Sequence, residues 1–339
     1  MLKKIILALC LIIAVFLIIV MPQNFSAAAG EKIQLCIEKV IPSLFLFSVL
    51  SNFAVNSGCI QPVIKLFNPF MKLFKLSKNC FEALFWGSFS GFPIGARIAA
   101  SLYEKNKITK SEGENLLSFC NNCSPAFLVG ILPQAGLKIY FIQLFCALIT
   151  GLYICNKSPA ATKELAKKEE HLPIAQSFTV AVKAAAAGMM NVCAFIVFTA
   201  FISEVLELLN ISHPLVLGFF EITSGIAALP YITPFYFACA CAIAGFGSVS
   251  VLLQAFSFAS SAGLSMKKYI IGKTTNGILC FLCGYLYCTN RLYIMFSGVI
   301  IIVFLHKIGK TVFGEKHAYR QPTEKHRAYK TKNEKQSYL

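Results

Sequence analysis

Aspartate is absent from this 339-residue chain, and all fifteen acidic residues are glutamate. Chemistry that needs an aspartyl phosphate, a Walker-type aspartate or a pair of aspartates is therefore excluded. The sequence also lacks a Gly-x-x-x-x-Gly-Lys-Ser/Thr loop that would hold a phosphate group. Its five histidines form no Ser-His or Glu-His arrangement typical of a catalytic site. We therefore expect a protein that is not an enzyme and that uses no cofactor.

Long polar stretches are also scarce, because 57% of the residues are hydrophobic and the mean hydropathy is +0.67. Several apolar runs reach the length of about 18 residues that a membrane helix needs. The net charge of +16 comes from lysines and arginines in loops and at the chain ends, where membrane topology places them. We expect an all-α polytopic membrane protein that contacts the lipid bilayer and binds no nucleic acid.

Cysteine is plentiful, with fourteen residues that lie mostly inside apolar segments. Two pairs, Cys120–Cys123 and Cys280–Cys283, have the Cys-x-x-Cys spacing, but they are far apart and no histidine lies near either. Two cysteines three apart share one face of a helix, where they pack as small polarizable side chains. We expect packing at these positions and no metal site.

Composition divides the chain into five segments. They are an N-terminal membrane helix at 1–32, a first repeat at 33–156, a cytoplasmic linker rich in Lys and Glu at 157–173, a second repeat at 174–306 and a basic disordered tail at 307–339. The run Ala27-Ala28-Ala29 leaves signal-peptide cleavage open, although the length of the preceding apolar run favours an uncleaved helix.

Two apolar stretches of the first repeat are interrupted where a membrane helix should be continuous. Gly91, Pro93 and Gly95 break residues 80–103, while Asn121, Asn122, Ser124 and Pro125 break residues 115–132. Unpaired backbone groups are tolerated in a membrane only inside protein or beside a wet cavity. The breaks indicate either proline and glycine kinks or a binding site made of discontinuous helices, as in transporters. We adopt the second interpretation.

The two halves align at a fixed offset, because Gly245 follows Gly91 by 154 residues and Asn276 follows Asn122 by the same number. At this offset the break of 80–103 falls on 234–260, which we therefore expect to form a second hairpin that meets the first near mid-membrane. A re-entrant first hairpin keeps the basic linker cytoplasmic, as the positive-inside tendency prefers. The orientation of the second half stays open.

Glu221 is the strongest candidate for ion coupling, since a charge at mid-bilayer costs at least about 2.5 kcal/mol. It would couple solute binding to H⁺ or Na⁺. The alternatives are a glutamate near the interface and a protonated glutamate bonded to a carbonyl. Arg97 either attracts an anion, pairs with Glu221 or extends to the membrane surface.

The candidate residues for binding a small polar solute carry amide or hydroxyl groups or lie where a helix opens. Interhelical hydrogen bonding is the alternative role for the polar ones. The set is Gly91, Pro93, Gly95, Asn121, Asn122, Ser124, Gln254, Ser257 and Asn276.

The stretches Gly91-Phe-Pro-Ile-Gly-Ala-Arg97 and Leu117-Ser-Phe-Cys-Asn-Asn-Cys-Ser-Pro125 resemble the YlbJ-type sporulation integral membrane proteins. Glu221-Ile-Thr-Ser-Gly225 and Gly245-Phe-Gly-Ser-Val-Ser250 extend the resemblance into the second half. That family is grouped with the nucleoside-recognition Gate domains of nucleoside transporters and ferrous-iron permeases. The resemblance implies a transporter-like fold with inverted repeats and a role in the spore cortex, in the mother-cell membrane around the forespore.

Two functions remain in competition. The first is a permease in which the two hairpins and Glu221 bind a small polar solute. The second is a non-transporting scaffold that keeps a degenerate transporter fold and recruits partners for envelope assembly. Ser248 stands where the family pattern has glycine, and this departure favours the second function slightly.

Overall fold

The computed structural model describes residues 1–156, 172–211, 213–230 and 233–291. These residues form helices and no β-strand, which confirms the predicted all-α fold. Residues Met1–Cys288 make one compact unit. A second unit, Thr289–Leu339, falls almost entirely outside the described residues, as do most of the predicted linker, the end of the predicted second repeat and the predicted tail at 307–339.

Sixteen α-helices lie in the described residues. In chain order they are α1 Leu2–Val20, α2 Pro22–Leu35, α3 Ile41–Ser57, α4 Gln61–Leu66, α5 Asn68–Leu73, α6 Phe81–Phe89, α7 Ile94–Glu104, α8 Lys110–Leu117, α9 Pro125–Ile131, α10 Gly136–Asn156, α11 Ile174–Leu208, α12 Pro214–Phe220, α13 Ile222–Ala227, α14 Pro234–Phe246, α15 Val249–Ser261 and α16 Lys267–Cys288.

Five helical stretches are long and apolar enough to cross a membrane. They are Leu2–Val20, Pro22–Ser57, Gly136–Cys155, Ile174–Leu208 and Pro234–Ser261. The predicted multi-pass membrane protein is thereby confirmed. The lysine-rich segment at 60–77 forms the short helices α4 and α5.

The long stretch Pro22–Ser57 joins α2 to α3 through a π-turn at Cys36–Val40. The Ile41 amide donates to the Cys36 carbonyl, one residue further back than in an α-helix. Pro42, the second residue of α3, has no amide hydrogen and cannot donate a backbone hydrogen bond to the preceding turn. The π-turn therefore lies where the hydrogen bonding of a continuous α-helix is already interrupted. The turn leads into Val40 and Leu44, which face the pocket described below.

The first predicted hairpin folds back on itself. Helix α6 packs against α7, and α7 packs against α8. A Cβ atom on Gly95 would lie only 2.3 Å from the Cys120 carbonyl oxygen, and one on Gly87 would lie 2.6 Å from the Gly95 Cα. Glycine at 87 and 95 is therefore what lets three backbones meet at this point.

The hairpin predicted over 234–260 is wrong, although the chain does break there. Helix α14 packs on α16, whereas α15 packs on α7 and α11. Small residues explain this choice, because Cβ atoms on Gly245 and Gly284 would lie 2.6 Å from Cys280 Sγ and 2.8 Å from Cys241 Sγ. Glycine against cysteine therefore lets α14 and α16 approach each other closely.

Helix α16 runs without interruption from Lys267 to Cys288. It has no break at Asn276, the residue that aligns with Asn122 in the first half. The bounds of other helices do follow the 154-residue offset. Adding 154 to the bounds of α7 gives 248–258, close to those of α15.

Candidate functional site

A small pocket lies where four helix breaks meet. The first break is residues 90–93, the second residues 118–124, the third Glu221 and the fourth residues 247–248. The breaks and the turns after them contribute Gly91, Phe92, Cys123, Ser124, Phe127, Glu221, Ile222, Thr223, Ser250, Val251 and Gln254, and the long helices contribute Val40, Leu44, Val192 and Ile196. A mostly apolar wall with a few converging polar groups is typical of small-molecule sites.

The first break forms the tip of the hairpin between α6 and α7. Gly91 has φ of +85°, a backbone conformation that glycine adopts without strain. A Cβ there would lie 3.0 Å from Ser124 Cβ, so the first and second breaks touch at this glycine. Phe92, which precedes a cis peptide bond to Pro93, reaches the fourth break, where a Cβ on Gly247 would lie 3.3 Å from Phe92 Cζ.

The second break is held open by side chains from helices that are not broken. Lys273 Nζ of α16 donates to the Asn121 carbonyl oxygen at 2.6 Å. With its amide oriented so that both ends are paired, Gln143 of α10 accepts from the Cys123 amide at 2.8 Å and donates to the Ala244 carbonyl at 3.2 Å. These bonds replace those that a continuous helix would have made. Ser124 Oγ then caps α9 by accepting from the Phe127 amide.

The free backbone groups at the fourth break are also hydrogen-bonded by side chains. Asn276 Nδ2 of α16 donates to the Gly245 carbonyl at 3.1 Å. Gly247 and Ser248 both have positive φ, at 100° and 132°, and Ser248 Oγ caps α15 by accepting from the Val251 amide. Gln143 therefore bonds to both the second and the fourth break, and α16 supplies one further partner to each, Lys273 to the second and Asn276 to the fourth.

The third break is organised by Glu221, which was predicted as an intramembrane acid but not as a helix break. Its carboxylate caps α13 by accepting from the amides of Thr223 and Ser224, each at 2.8 Å, and from both hydroxyl groups. Lys32 Nζ of α2 lies 3.3 Å from Glu221 Oε2 and also donates to Ser224 Oγ. The carboxylate is 1% exposed and the lysine side chain 15% exposed, so this buried charge is paired and hydrogen-bonded.

Arg97 bonds to neighbouring helices and does not pair with Glu221, which was one of the roles predicted for it. Its Nη1 donates to the Ala184 carbonyl at 3.0 Å, and its Nη2 donates to Ser48 Oγ at 3.3 Å. A Cβ on Gly188 would lie 3.1 Å from Nη1, which shows why a small residue stands beside it. Arg97 therefore joins α7 to α3 and α11 away from the pocket lining.

The predicted binding residues separate into two groups. Gly91, Ser124 and Gln254 line the pocket, together with the predicted coupling residue Glu221. Gly95 packs the hairpin, Asn121 Nδ2 donates to Tyr269 Oη, and Asn122 Nδ2 donates to the Phe119 carbonyl. Ser257 accepts from Asn191, and Asn276 supports the fourth break as described. These four polar residues, like Pro93 in the cis peptide bond, lie outside the lining.

Several residues of the site were missed from the sequence. Thr223 and Ser250 line the pocket, and each stands in a stretch already quoted for the family resemblance, so that signal was available. The site also includes Lys32, Gln143 and Lys273. These residues were missed because no pattern in the sequence indicates that their helices pack against a break. In the part of the chain that the structure describes, no group of three or more His, Cys, Asp or Glu residues can hold a metal ion.

Comparison with known proteins gives one curated relative. The chain is 31% identical over 157 residues to the sporulation integral membrane protein YlbJ of Bacillus subtilis (strain 168). The match covers 44% of this chain and 37% of the relative. No family model and no solved structure matches. The chain is therefore a multi-pass membrane protein that is similar, over part of its length, to a sporulation integral membrane protein.

Proposed function

We propose that this protein is a permease and that its solute binds in the pocket between the four breaks. The observation that carries the proposal is the convergence of these breaks on one pocket, with the freed backbone groups bonded to side chains. Structural kinks alone would not need to meet, whereas discontinuous helices that meet around a cavity are how transporters build solute sites. The kinship with Gate domains, implied by the resemblance, is part of this proposal.

The lining indicates the chemistry of the solute. Ser124, Thr223, Ser250 and Gln254 offer hydroxyl and amide groups, while Phe92 and the aliphatic residues offer an apolar surface. Glu221, the carboxylate among the described lining residues, is neutralised by Lys32. A small neutral or zwitterionic molecule with one apolar face suits such a pocket better than a net anion or cation.

We further propose a role in endospore formation, in the mother-cell membrane around the forespore. The name of the relative and the motifs quoted above support it. Deleting the gene in the organism that encodes it should lower the yield of heat-resistant spores and thin the cortex. Normal numbers of heat-resistant spores with a normal cortex would refute this role.

Thiol labelling tests the pocket with a control that the chain itself offers. Cys120 and Cys123 are both buried, but Cys123 lines the pocket whereas Cys120 is absent from the lining. In full-length protein in proteoliposomes, with every other cysteine replaced, a small impermeant thiol reagent should label Cys123 and spare Cys120. The labelling rate is measured separately from each side of the membrane. A solute that binds should slow the labelling of Cys123.

Protection of both thiols from both sides in folded protein would contradict the permease. It would favour the scaffold, because a pocket closed to water on both faces cannot pass a polar solute. Equal labelling of both cysteines would mean that the segment opens as a whole, which also contradicts the pocket described here.

Glu221 is proposed as the coupling residue, with H⁺ as the ion. Five donors already surround its carboxylate, which leaves no room for the oxygen shell of Na⁺. Protonation, in contrast, would weaken the pair with Lys32. Once a solute is found, Glu221→Gln should abolish uptake driven by a pH gradient at unchanged protein level, and Glu207→Gln, on an exposed residue of α11, should not. Uptake by Glu221→Gln at the wild-type rate would exclude coupling there.

A further inference from the structure

Lys273 is a buried charge that neither the solute site nor the ion pair uses. It lies in α16 and is 1% exposed. In the part of the chain that the structure describes, no carboxylate lies within 4 Å of its Nζ. Burying a charged group inside a protein without an opposite charge is costly, so an unpaired buried lysine requires a reason.

The surroundings of Lys273 are those of a cation site. Its Nζ donates to the Asn121 carbonyl oxygen at 2.6 Å and lies 5.0 Å from the centre of the Phe92 ring. A carbonyl at a helix break and the face of an aromatic ring both attract positive charge. The side-chain oxygens of Asn121 and Asn122, in the same segment, are buried and accept no hydrogen bond. The second break thus carries more acceptor oxygens than donors.

A neutral donor would have been enough if bonding the carbonyl were the only requirement. At the fourth break the amide of Asn276 does this for Gly245, from the next turn of the same helix. Gln143 does it for Ala244. Only at the second break, among these three carbonyls, is the donor an ammonium group.

We propose that the ammonium of Lys273 serves as the built-in cation of the second break, in the position where a bound inorganic cation would otherwise neutralise the oxygens of an opened helix. The first and second breaks then assemble without Na⁺, K⁺ or another metal ion. The proposal deepens the proposed permease by assigning its cation requirement, and it rests on the same breaks. Its test measures stability and needs no solute, so it fails or succeeds independently of transport.

The experiment is chemical rescue of full-length protein in detergent, with unfolding followed at constant ionic strength. Wild-type protein should unfold at the same midpoint in NaCl, KCl and choline chloride. Lys273→Ala should unfold earlier, and methylammonium, small enough to fill the vacated position, should restore much of the loss while choline does not. Lys267→Ala, on an exposed residue of the same helix, should neither lose stability nor respond to methylammonium.

Three results would overturn the proposal. One is a wild-type midpoint that rises with Na⁺ or K⁺ over choline, because an inorganic cation would then bind. The second is Lys273→Met, which keeps the volume without the charge, unfolding no earlier than wild type. The third is a Lys273→Ala variant that folds and gains nothing from methylammonium. If Lys273→Ala does not fold, the wild-type salt comparison and Lys273→Met still decide.

Discussion

Replacing Gly95 by alanine tests the close approach of backbones on which the pocket depends. The new Cβ would lie 2.3 Å from the Cys120 carbonyl oxygen and 2.9 Å from its carbon, against roughly 3.5 Å for an ordinary contact. Both neighbours are backbone atoms, so a side-chain rotation cannot relieve the clash. Overpacking of this kind costs about 1–3 kcal/mol, while alanine in a helix regains up to about 1 kcal/mol over glycine. We expect a net loss of about 1–2 kcal/mol.

Gly130 provides the matched control, since it lies in α9 and a Cβ there would meet nothing within 4 Å. Gly130→Ala should therefore keep the helical gain of up to about 1 kcal/mol, and the difference between the two variants isolates the overpacking. Trp86, the single tryptophan, precedes Gly87 at the same contact and reports unfolding by fluorescence in mixed detergent micelles. Wild-type stability for Gly95→Ala, or an equal loss for Gly130→Ala, would refute the packing described for the hairpin.

Two further predictions concern contacts that hold the helices around the pocket. Arg97→Met should destabilise the protein by about 1.5–3 kcal/mol, because the charged hydrogen bonds to Ala184 and Ser48 are lost, and Ser48→Ala should cost only about 1 kcal/mol because the bond to Ala184 remains. The unfolding midpoints of the two variants measure these losses. A larger loss for Ser48→Ala than for Arg97→Met would contradict the prediction. Cys146 Sγ lies 3.4 Å from Cys283 Sγ, so protein that keeps only these two cysteines should form a disulfide with membrane-permeant iodine. Peptide mass spectrometry should find the cross-link, and a variant that keeps only Cys146 serves as the control. Failure of the pair to link would contradict the packing of α10 on α16.

The positions of most breaks could be predicted from the sequence because backbone chemistry fixes them locally. Gly91 needs positive φ, Pro125 cannot continue a preceding helix, and Gly247 again has positive φ. Such residues interrupt a helix whatever surrounds them. The same signal explains why the break at Glu221 was missed. It contains neither glycine nor proline, and its carboxylate instead caps the following helix.

The partners of the breaks could not be predicted, because they depend on which helix lies opposite. Gln143 and Lys32 sit in helices whose own patterns are unremarkable, and each acts on a residue distant in the sequence. The second hairpin was predicted from the 154-residue offset, which carries no information about packing, and it is wrong. The offset of 154 residues transfers helix bounds from α7 to α15, but packing between α14 and α16 decides where those helices go.

The two charges of the site show what the repeat supplies and what it does not. At the same offset, Lys273 falls on Phe119 and Glu221 falls on Phe67, so neither charge has a charged counterpart in the other half. Asn122 and Asn276 do correspond, and both donate their amide to a backbone carbonyl. Asn122 and Asn276 therefore bond to backbone carbonyls at corresponding positions of the two halves. Lys273 and Glu221 also bond to backbone groups, but at positions where the halves differ. Of these two unpaired positions, Glu221 lines the pocket, so Glu221→Gln tests the proposed coupling there, whereas the Lys273 variants test the stability of the second break.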